Sequence, residues 1–342
     1  MAATKNKKLR VALIGEDTLH GREIKSVLAL KEFPIKSLEF YDPAVEEEFS
    51  KLTQFGDEPK VVHHLEPKVL AGLDLVFLAA DAKTNAEYGR LAAELDYRAI
   101  DLEETFNARA DVPVVVAGVN TAAAQNPATP LVANPNPATI MLAHLFQALL
   151  PEFGIERALA FVVEPASAYG EEGIQELADQ SCALLGGSPV RKKIFREQAA
   201  YNILSRTEKP DSTGFSGRER RVLSEIRRVL HPADFPLSLS TILAPVFHSY
   251  SIMAYVELRK DASIADFENV LRRDDLFKVA PAEGVKCMSS VSVAGKDKIF
   301  VGELKKAEFP PRSFWVGMMA DNLTVGSALN AYEIARAMFG IS

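Results

Sequence analysis

Short apolar runs alternate with helix-spaced segments along the first hundred residues, and this alternation constrains the fold more than any other feature. The candidate elements are strand 10–14, helix 21–30, strand 37–41, strand 73–80, helix 85–95 and strand 98–101. Signals at this spacing indicate βαβ units and a parallel sheet covered on both faces. We therefore predict an α/β fold with a Rossmann-like, doubly wound parallel sheet, although an unrelated α/β layer fold would give a similar pattern.

The pattern changes near residue 134. Residues 134–137 are rich in the turn formers Asn and Pro, and Pro137 suits the first position of the apolar helix that follows, because no N–H is needed there. Strands then become longer and more alternating, and the candidates are helices 138–150, 172–185, 217–230, 264–272 and 329–338 and strand 251–258. These features predict a second domain of the α+β type.

Charge and cysteine content exclude several classes of function. The 342 residues include 39 Lys and Arg against 46 Asp and Glu, and this net charge of −7 argues against nucleic-acid binding. Two cysteines, Cys182 and Cys287, are too few for a disulfide framework or a thiolate metal site, and the adjacent His63 and His64 fit a solvated segment better than a metal site. The first apolar run, 11–14, is too short for a signal peptide or a membrane span. We expect a cytoplasmic protein without a metal, membrane or nucleic-acid partner.

The loop between the first strand and the first helix has part of a dinucleotide-binding signature. Gly15 and Gly21 stand where a G-x-x-G-x-x-G loop needs its outer glycines, but the middle position is Thr18. Glycines in such a loop let the backbone approach a pyrophosphate, whereas Glu16 and Asp17 put negative charge there. The loop therefore has two interpretations: a cofactor site, or glycines that serve only the tight turn and the packing of the helix.

Several segments, in the same order and spacing over nearly the whole chain, resemble the aspartate-semialdehyde dehydrogenase family. Residues 111–120 (DVPVVVAGVN) are similar to its "DVPLVVPEVN", and residues 133–136 match its "ANPN". Residues 245–249 (PVFHS) are similar to "PVxxxHS", and residues 296–302 (KDKIFVG) to "KDEVFVGR". Further similar segments are 11–23, 33–38 and 315–331.

The resemblance implies a dinucleotide-binding domain over residues 1–133, completed by 322–342, and a domain over 134–321 that carries the active site and the dimer interface. It also implies NADP or NAD as cofactor, a homodimer, and a place in amino-acid biosynthesis. Family members reduce aspartyl phosphate to the semialdehyde with NADPH, through a thioester on the cysteine directly after "ANPN".

The nucleophile position is Pro137 here. Proline has neither a nucleophilic atom nor a backbone donor. We expect the two cysteines of the chain, Cys182 on a helix and Cys287 near residues 296–300, to be small packing residues and not substitutes.

The anion-binding residues of the family also differ. The phosphate-binding arginine falls on Asn107, and Arg109 is two residues away, where its planar fork would aim elsewhere. Residues 240–247 contain no cation in place of the arginine that grips the substrate carboxylate. After the second strand, the acidic stretch 42–48 would repel the 2′-phosphate of NADP.

Other family positions are retained or changed in type. His248 matches the family's general acid/base, and Glu164 stands at its active-site glutamine; these are the candidate catalytic residues. Gly170 and Asn322 match cofactor-side positions and join Gly15, Thr18 and Gly21 as candidate cofactor-binding residues. Alternatively, His248 serves hydrogen bonding inside its domain, and Asn322 caps or turns the segment before the last helix.

Three hypotheses follow. The leading one is a homologue without dehydrogenase activity that acts as a dimeric binding or regulatory protein for a small molecule or another protein. The second is an active NAD(P)-dependent oxidoreductase of altered mechanism or substrate, which uses His248 and Glu164 without covalent catalysis. The third is a nucleotide sensor that binds the cofactor without turnover.

Overall fold

The computed structural model describes residues 8–46, 51–280 and 288–341. The chain divides into two compact units: unit 1 comprises Met1–Asn136 and Ser327–Ser342, and unit 2 comprises Pro137–Gly326. Both boundaries lie a few residues beyond those inferred from the resemblance, 133–134 and 321–322. The C-terminal segment nevertheless belongs to the unit that holds the N-terminal sheet.

Unit 1 is built on a seven-stranded sheet in the order β3-β4-β2-β1-β5-β6-β7. Its strands are β1 (Leu9–Ile14), β2 (Ile35–Asp42), β3 (Lys51–Phe55), β4 (Glu58–His64), β5 (Leu75–Leu78), β6 (Arg98–Asp101) and β7 (Leu131–Ala133). All neighbouring strands are parallel except the β3–β4 pair. Every residue of β5 is buried, as expected for a central strand covered on both faces. The Rossmann-like sheet is therefore confirmed.

The helices of unit 1 include α1 (Leu19–Leu30) and α2 (Ala82–Arg90), and the last helix of the chain also belongs to this unit. That last helix, α8 (Asn330–Phe339), is tied to the unit by its first residue, because the side-chain amide of Asn330 donates to Val115 O at 2.9 Å and to Asn134 Oδ1 at 2.7 Å. The side-chain oxygen Oδ1 of Asn330 accepts from Ala117 N at 2.8 Å. One buried amide thus joins residues some two hundred positions apart.

The hairpin β3–β4 has no counterpart among the predicted strands. All residues of β3 and β4 are exposed or half-buried except Val62, so the sequence gives only a weak hydrophobic signal for these strands. Pairing with β2, in which Phe40 lies opposite Val62, attaches β4 to the sheet. His63 and His64 end β4, where His63 is exposed and His64 is half-buried with its Nδ1 2.6 Å from Val45 O.

Unit 2 contains a mixed six-stranded sheet in the order β11-β12-β13-β10-β8-β9. Its strands are β8 (Ile155–Glu164), β9 (Leu237–Leu243), β10 (Tyr250–Leu258), β11 (Phe277–Val279), β12 (Ile299–Lys306) and β13 (Ser313–Ala320). Its helices are α3 (Pro137–Phe153), α4 (Gly170–Leu185), α5 (Gly217–Val229), α6 (Ile264–Leu271) and α7 (Ser290–Val293). A second α/β domain with antiparallel pairs is confirmed, and α3 begins at Pro137, as predicted.

The prediction that both cysteines are packing residues was wrong for Cys182, which is exposed on α4. The buried residues of this helix are Gly173, Glu176, Leu177 and Gln180, which lie at helical spacing on one face. Position 182 is not on that face. Cys287 lies outside the described residues.

Two further observations concern predicted absences. Among the residues that the structure describes, no helix has the length and apolar character of a membrane span. Within the same ranges, no group of three or more His, Cys, Asp or Glu side chains is arranged to hold a metal ion.

The close packing at the start of α1 gives a prediction on stability. A Cβ atom at Gly21 would lie 2.0 Å from the carbonyl oxygen of Gly15. We expect Gly21→Ala to lower the free energy of unfolding by about 3 kcal/mol or more, because backbone must move to admit the methyl group. Denaturant unfolding followed by circular dichroism measures the change. Gly217→Ala is the control, since its Cβ would meet only the end of the Glu208 side chain at 3.2 Å; equal effects of the two substitutions would contradict the prediction.

Candidate active-site region

Pro137 is the first residue of α3 and occupies the place where the family resemblance requires a thiol. Its ring packs against Gly326, where an added Cβ would lie 2.6 Å from Pro137 Cβ. The helix continues with buried residues from Ala138 to Phe146. This helix N-terminus thus begins with a packed ring, and the ring brings neither a thiolate nor an N–H.

Glu164 ends β8 and is only 3% exposed. Its Oε2 accepts a hydrogen bond from the Tyr169 hydroxyl at 3.1 Å, and the same hydroxyl contacts Thr207 Oγ1. The Arg218 guanidinium lies 4.2 Å from the centre of the Tyr169 ring. Burial and the nearby Glu164 charge raise the pKa of Tyr169, so the phenol keeps its proton and serves as a donor.

A cavity of about 470 Å³ lies beside Glu164 in unit 2. Its lining is polar and includes the carboxyl groups of Glu208 and Glu219 and the hydroxyl-bearing residues Ser205, Thr207, Ser216, Ser240 and Thr241. Glu219 is held by backbone donors, from Ser216 N at 2.7 Å and Thr241 N at 2.9 Å. This cavity is a candidate site for a small polar ligand.

His248 lies half-buried in the segment between β9 and β10. The neighbouring Ser249 has a positive φ of 78° and donates its N–H to Asn322 Oδ1 at 3.0 Å. Asn322 Oδ1 also accepts from the Ser167 hydroxyl at 3.2 Å. Asn322 therefore fixes the His248 segment to the residues that follow Glu164.

Two of the candidate cofactor-binding residues belong to unit 2. Asn322 makes the two bonds just described, both within unit 2, although the resemblance assigned it to the dinucleotide-binding part. Gly170 starts α4 with a φ of 71°, and an added Cβ there would meet no atom within 4 Å. Its backbone conformation accounts for glycine at this position.

At and near the position of the family's phosphate-binding arginine, the side chains of this protein are engaged in other contacts. Asn107 is buried in unit 1 and donates to Asn134 O at 3.3 Å. Arg109 is paired with Asp111 at the surface, with 3.0 Å between Nε and Oδ1. Asn107 has no guanidinium, and the guanidinium of Arg109 is already occupied by Asp111.

In the loop before α1, the groups that could bind a dinucleotide already have partners within the protein. Thr18 caps α1, and its Oγ1 accepts from Gly21 N at 3.0 Å. Lys51 Nζ lies 2.9 Å from Glu16 Oε1, 2.5 Å from Asp17 Oδ2 and 3.2 Å from Asp42 Oδ2. Lys25 also interacts electrostatically with Glu16 and Asp17. The Lys51 ammonium is nevertheless already paired with three carboxylates, so it is not free for a dianionic pyrophosphate.

The sequence analysis did not identify His20, a titratable residue whose side chain contacts the segment directly after β6. His20 Nδ1 lies 2.7 Å from Glu103 Oε1. Burial by itself would lower the pKa of His20, but Glu103, Glu104 and Asp101 together raise it above 6.5. The buried Asp101 accepts from Phe106 N at 3.0 Å and from Glu103 N at 3.2 Å. Only the fold brings residue 20 to residues 101–104, so no local signal could have shown this group.

Two family models match the chain. The semialdehyde dehydrogenase NAD binding domain matches residues 10–126, and the semialdehyde dehydrogenase dimerisation domain matches residues 146–325. An aspartate-semialdehyde dehydrogenase of Legionella pneumophila is 26% identical over 341 residues, 97% of this chain and 96% of the relative. One of Aquifex aeolicus is 27% identical over 335 residues, 96% and 97% of the two chains.

Solved structures show the same fold. The aspartate semialdehyde dehydrogenase II of Vibrio cholerae complexed with ASA superposes with a TM-score of 0.90 at 24% identity, over 98% of this chain and 99% of that one. The Candida albicans aspartate semialdehyde dehydrogenase with NADP gives a TM-score of 0.72 at 15% identity, over 97% and 99% of the two chains. At these identities the likeness establishes the fold.

Asp101 gives a prediction on pH dependence. Burial raises its pKa from 3.8 to about 6, so between these values the folded protein holds a proton that the unfolded chain has lost. Stability contributed by this group is therefore lost as the pH rises through that window, by up to about 3 kcal/mol at 1.36 kcal/mol per pH unit. We expect Asp101→Asn to flatten the fall in unfolding free energy between pH 4 and pH 6, measured by denaturant titration. Asp57→Asn, in the exposed β3–β4 turn, should leave the slope unchanged; an unchanged slope in Asp101→Asn would refute the assignment.

Proposed function

Because this chain belongs to the semialdehyde dehydrogenase family, we propose that it is a homologue without dehydrogenase activity, acting as a dimeric binding or regulatory protein. The observation that carries the proposal is Pro137 at the first position of α3. A thioester needs a thiolate at this helix N-terminus, where the dipole and N–H groups would stabilise it. The proline ring offers no atom that can attack an acyl phosphate.

The residues at the family's two anion-binding positions also support a lack of dehydrogenase activity. Asn107 bonds to the backbone of Asn134, where the family has a phosphate-binding arginine. No cation is present among residues 240–247, where the family grips the substrate carboxylate. Loss of the nucleophile and of both anion-binding groups removes covalent attack and substrate positioning together.

The polar cavity beside Glu164 is the place where we expect a small ligand to bind. Glu219 and Glu208 contribute carboxyl groups to its wall, and serine and threonine side chains contribute hydroxyl groups. Such a lining provides donors and acceptors for a polar molecule.

One alternative remains an oxidoreductase of altered mechanism. The observation that favours it is the retained His248, held by way of Ser249 and Asn322 to the segment after the buried Glu164. In this alternative, Glu164 and His248 transfer protons, and no covalent intermediate forms on the protein. Turnover with semialdehyde substrates separates this alternative from the proposal.

We expect no formation of NADPH when the purified protein is incubated with aspartate semialdehyde, phosphate and NADP. Loss of a catalytic nucleophile costs about 10⁶-fold in kcat in a well-studied protease, which would bring turnover below detection. Pro137→Cys alone should also stay inactive, because the anion-binding arginines are still missing. An active family member assayed in parallel is the control. Robust turnover by the unmodified protein would overthrow the proposal, and turnover by Pro137→Cys alone would show that the missing arginines are not needed.

The proposed dimer uses the exposed face of the unit 2 sheet. Leu159 and Phe161 on β8 are 49% and 43% exposed, and Trp315 on β13 is 40% exposed. Trp315 packs against Tyr255 of β10 in a tilted arrangement, with ring centres 5.0 Å apart. Monomeric proteins rarely expose a contiguous apolar patch of this kind. The dimerisation domain of the family, matched over residues 146–325, contains all four residues.

We expect Trp315→Glu to shift the protein from dimer to monomer and to weaken association at least about 100-fold, because a two-fold interface would bury two uncompensated carboxylates. Light scattering coupled to size exclusion over a range of concentrations measures this. Leu30→Glu, at an exposed apolar residue of unit 1, is the matched control. An unmodified protein that is monomeric at every concentration would rule out the dimer.

A further inference from the structure

We infer that unit 1 excludes the dinucleotide that its fold is built to hold, because the loop before α1 is closed from within by Thr18 and by Lys51 of β3. This goes beyond the proposed function, since a protein without dehydrogenase activity can still bind the nucleotide.

The two glycines are fully accounted for by packing. Gly15 has a φ of 84°, and an added Cβ would lie 2.6 Å from Ala80 N. At Gly21 an added Cβ would lie 2.0 Å from Gly15 O. Any chain that turns from β1 into α1 along this path needs glycine at both positions, whether or not a ligand binds. The surviving glycines are therefore no sign of a cofactor.

The N-terminus of α1 is capped by the protein itself. In a dinucleotide fold, free N–H groups at this helix end bind the pyrophosphate, and a central glycine lets the backbone come close. Here Thr18 Oγ1 accepts from Gly21 N at 3.0 Å. The same oxygen lies 2.9 Å from Ala79 O and 3.0 Å from Gly15 O, so its proton is also used inside the loop. A hydroxyl and a methyl group thus stand where the family has no side chain.

The lysine beside the loop is already paired with carboxylates of the protein itself. The carboxyl group of Glu16 is fully buried, and together with those of Asp17 and Asp42 it surrounds the single ammonium of Lys51. Burial by itself would lower the pKa of Lys51, but the three carboxylates raise it well above its usual range, so the ammonium stays charged. A dianionic group would have to compete with three carboxylates for this one cation.

Asp42 shows that the ribose position is occupied as well. An acidic residue at the end of the second strand binds the ribose hydroxyl groups in NAD-binding folds. In this chain Asp42 accepts from Ala44 N at 2.8 Å and from Lys51 Nζ at 3.2 Å. The hairpin that carries Lys51 is attached to α1 by a second bond, from Lys25 Nζ to Thr53 Oγ1 at 2.7 Å. The lysine is therefore positioned by the fold against the loop.

Lys51 also has an opposite interpretation, in which its ammonium grips a phosphate of the cofactor. The two interpretations make opposite predictions for the same variants. If Lys51 closes the loop, the unmodified protein binds no dinucleotide, and removal of the acidic residues creates binding. If Lys51 is a phosphate ligand, the unmodified protein binds, and Lys51→Met abolishes binding.

The test is calorimetric titration of the full-length protein with NAD and with NADP. We expect the unmodified protein and Lys51→Met to bind neither, with Kd values above about 1 mM. The triple variant Glu16→Ala, Asp17→Thr and Thr18→Gly rebuilds the loop and should bind at least about 10-fold more tightly. Lys60→Met on the same hairpin is the matched control, because Lys60 pairs with Glu58 on the exposed side.

The outcomes separate this inference from the proposed function. Binding of NAD or NADP by the unmodified protein with a Kd below about 100 µM overturns the inference, yet leaves the proposed function intact if no NADPH forms. A folded triple variant that gains no affinity also overturns it. Thermal melting shows whether that variant folds; if it does not, the milder pair Glu16→Gln and Asp17→Asn removes the same charges with little change of shape, and the absence of any gain in affinity then overturns the inference.

Discussion

The close approach of α1 to the turn after β1 is the constraint on which much of unit 1 depends. The carbonyl of Gly15 lies so near Gly21 that no side chain fits between them, and the backbone of Ala79 and Ala80 closes the other side. This packing fixes where α1 starts, where Thr18 caps it and where Glu16 and Asp17 point. The scaffold of a dinucleotide fold is therefore maintained by its own sterics. Its glycines are required by this packing whether or not a phosphate binds.

In unit 2 as well, the contacts that hold the fold together are distinct from the reactive groups of the family. Buried polar groups still fix the segments that carry Glu164 and His248, chiefly through Asn322, which holds Ser167 and Ser249. Such bonds stabilise the fold because each buried donor would be costly without an acceptor. They require no nucleophile, and the proline ring at the start of α3 packs against Gly326 without disturbing them. The contacts that hold these segments in place therefore do not depend on a thiol at position 137.

Much of the candidate site could be predicted from the sequence, for reasons that differ from residue to residue. Pro137 was identifiable because it follows an unmistakable turn, and helix α3 does begin there. Glu164 was placed by alignment of motifs, and the structure adds its burial and its bond from Tyr169. Cys182 was placed inside the protein because of its type, yet its position along α4 lies off the buried face. Residue type alone was a poorer guide there than helical spacing.

The sequence by itself determined the alternating α/β order of unit 1, the mixed second domain and the absence of a thiol after "ANPN". These follow from local periodicity and from residue identity, which need no knowledge of distant contacts. Only the tertiary structure decided that Lys51 pairs with Glu16, that His20 meets Glu103, and that Asn322 joins Ser167 to Ser249. Each of these contacts joins residues at least some thirty positions apart, and its energy depends on distances that the folded backbone alone sets.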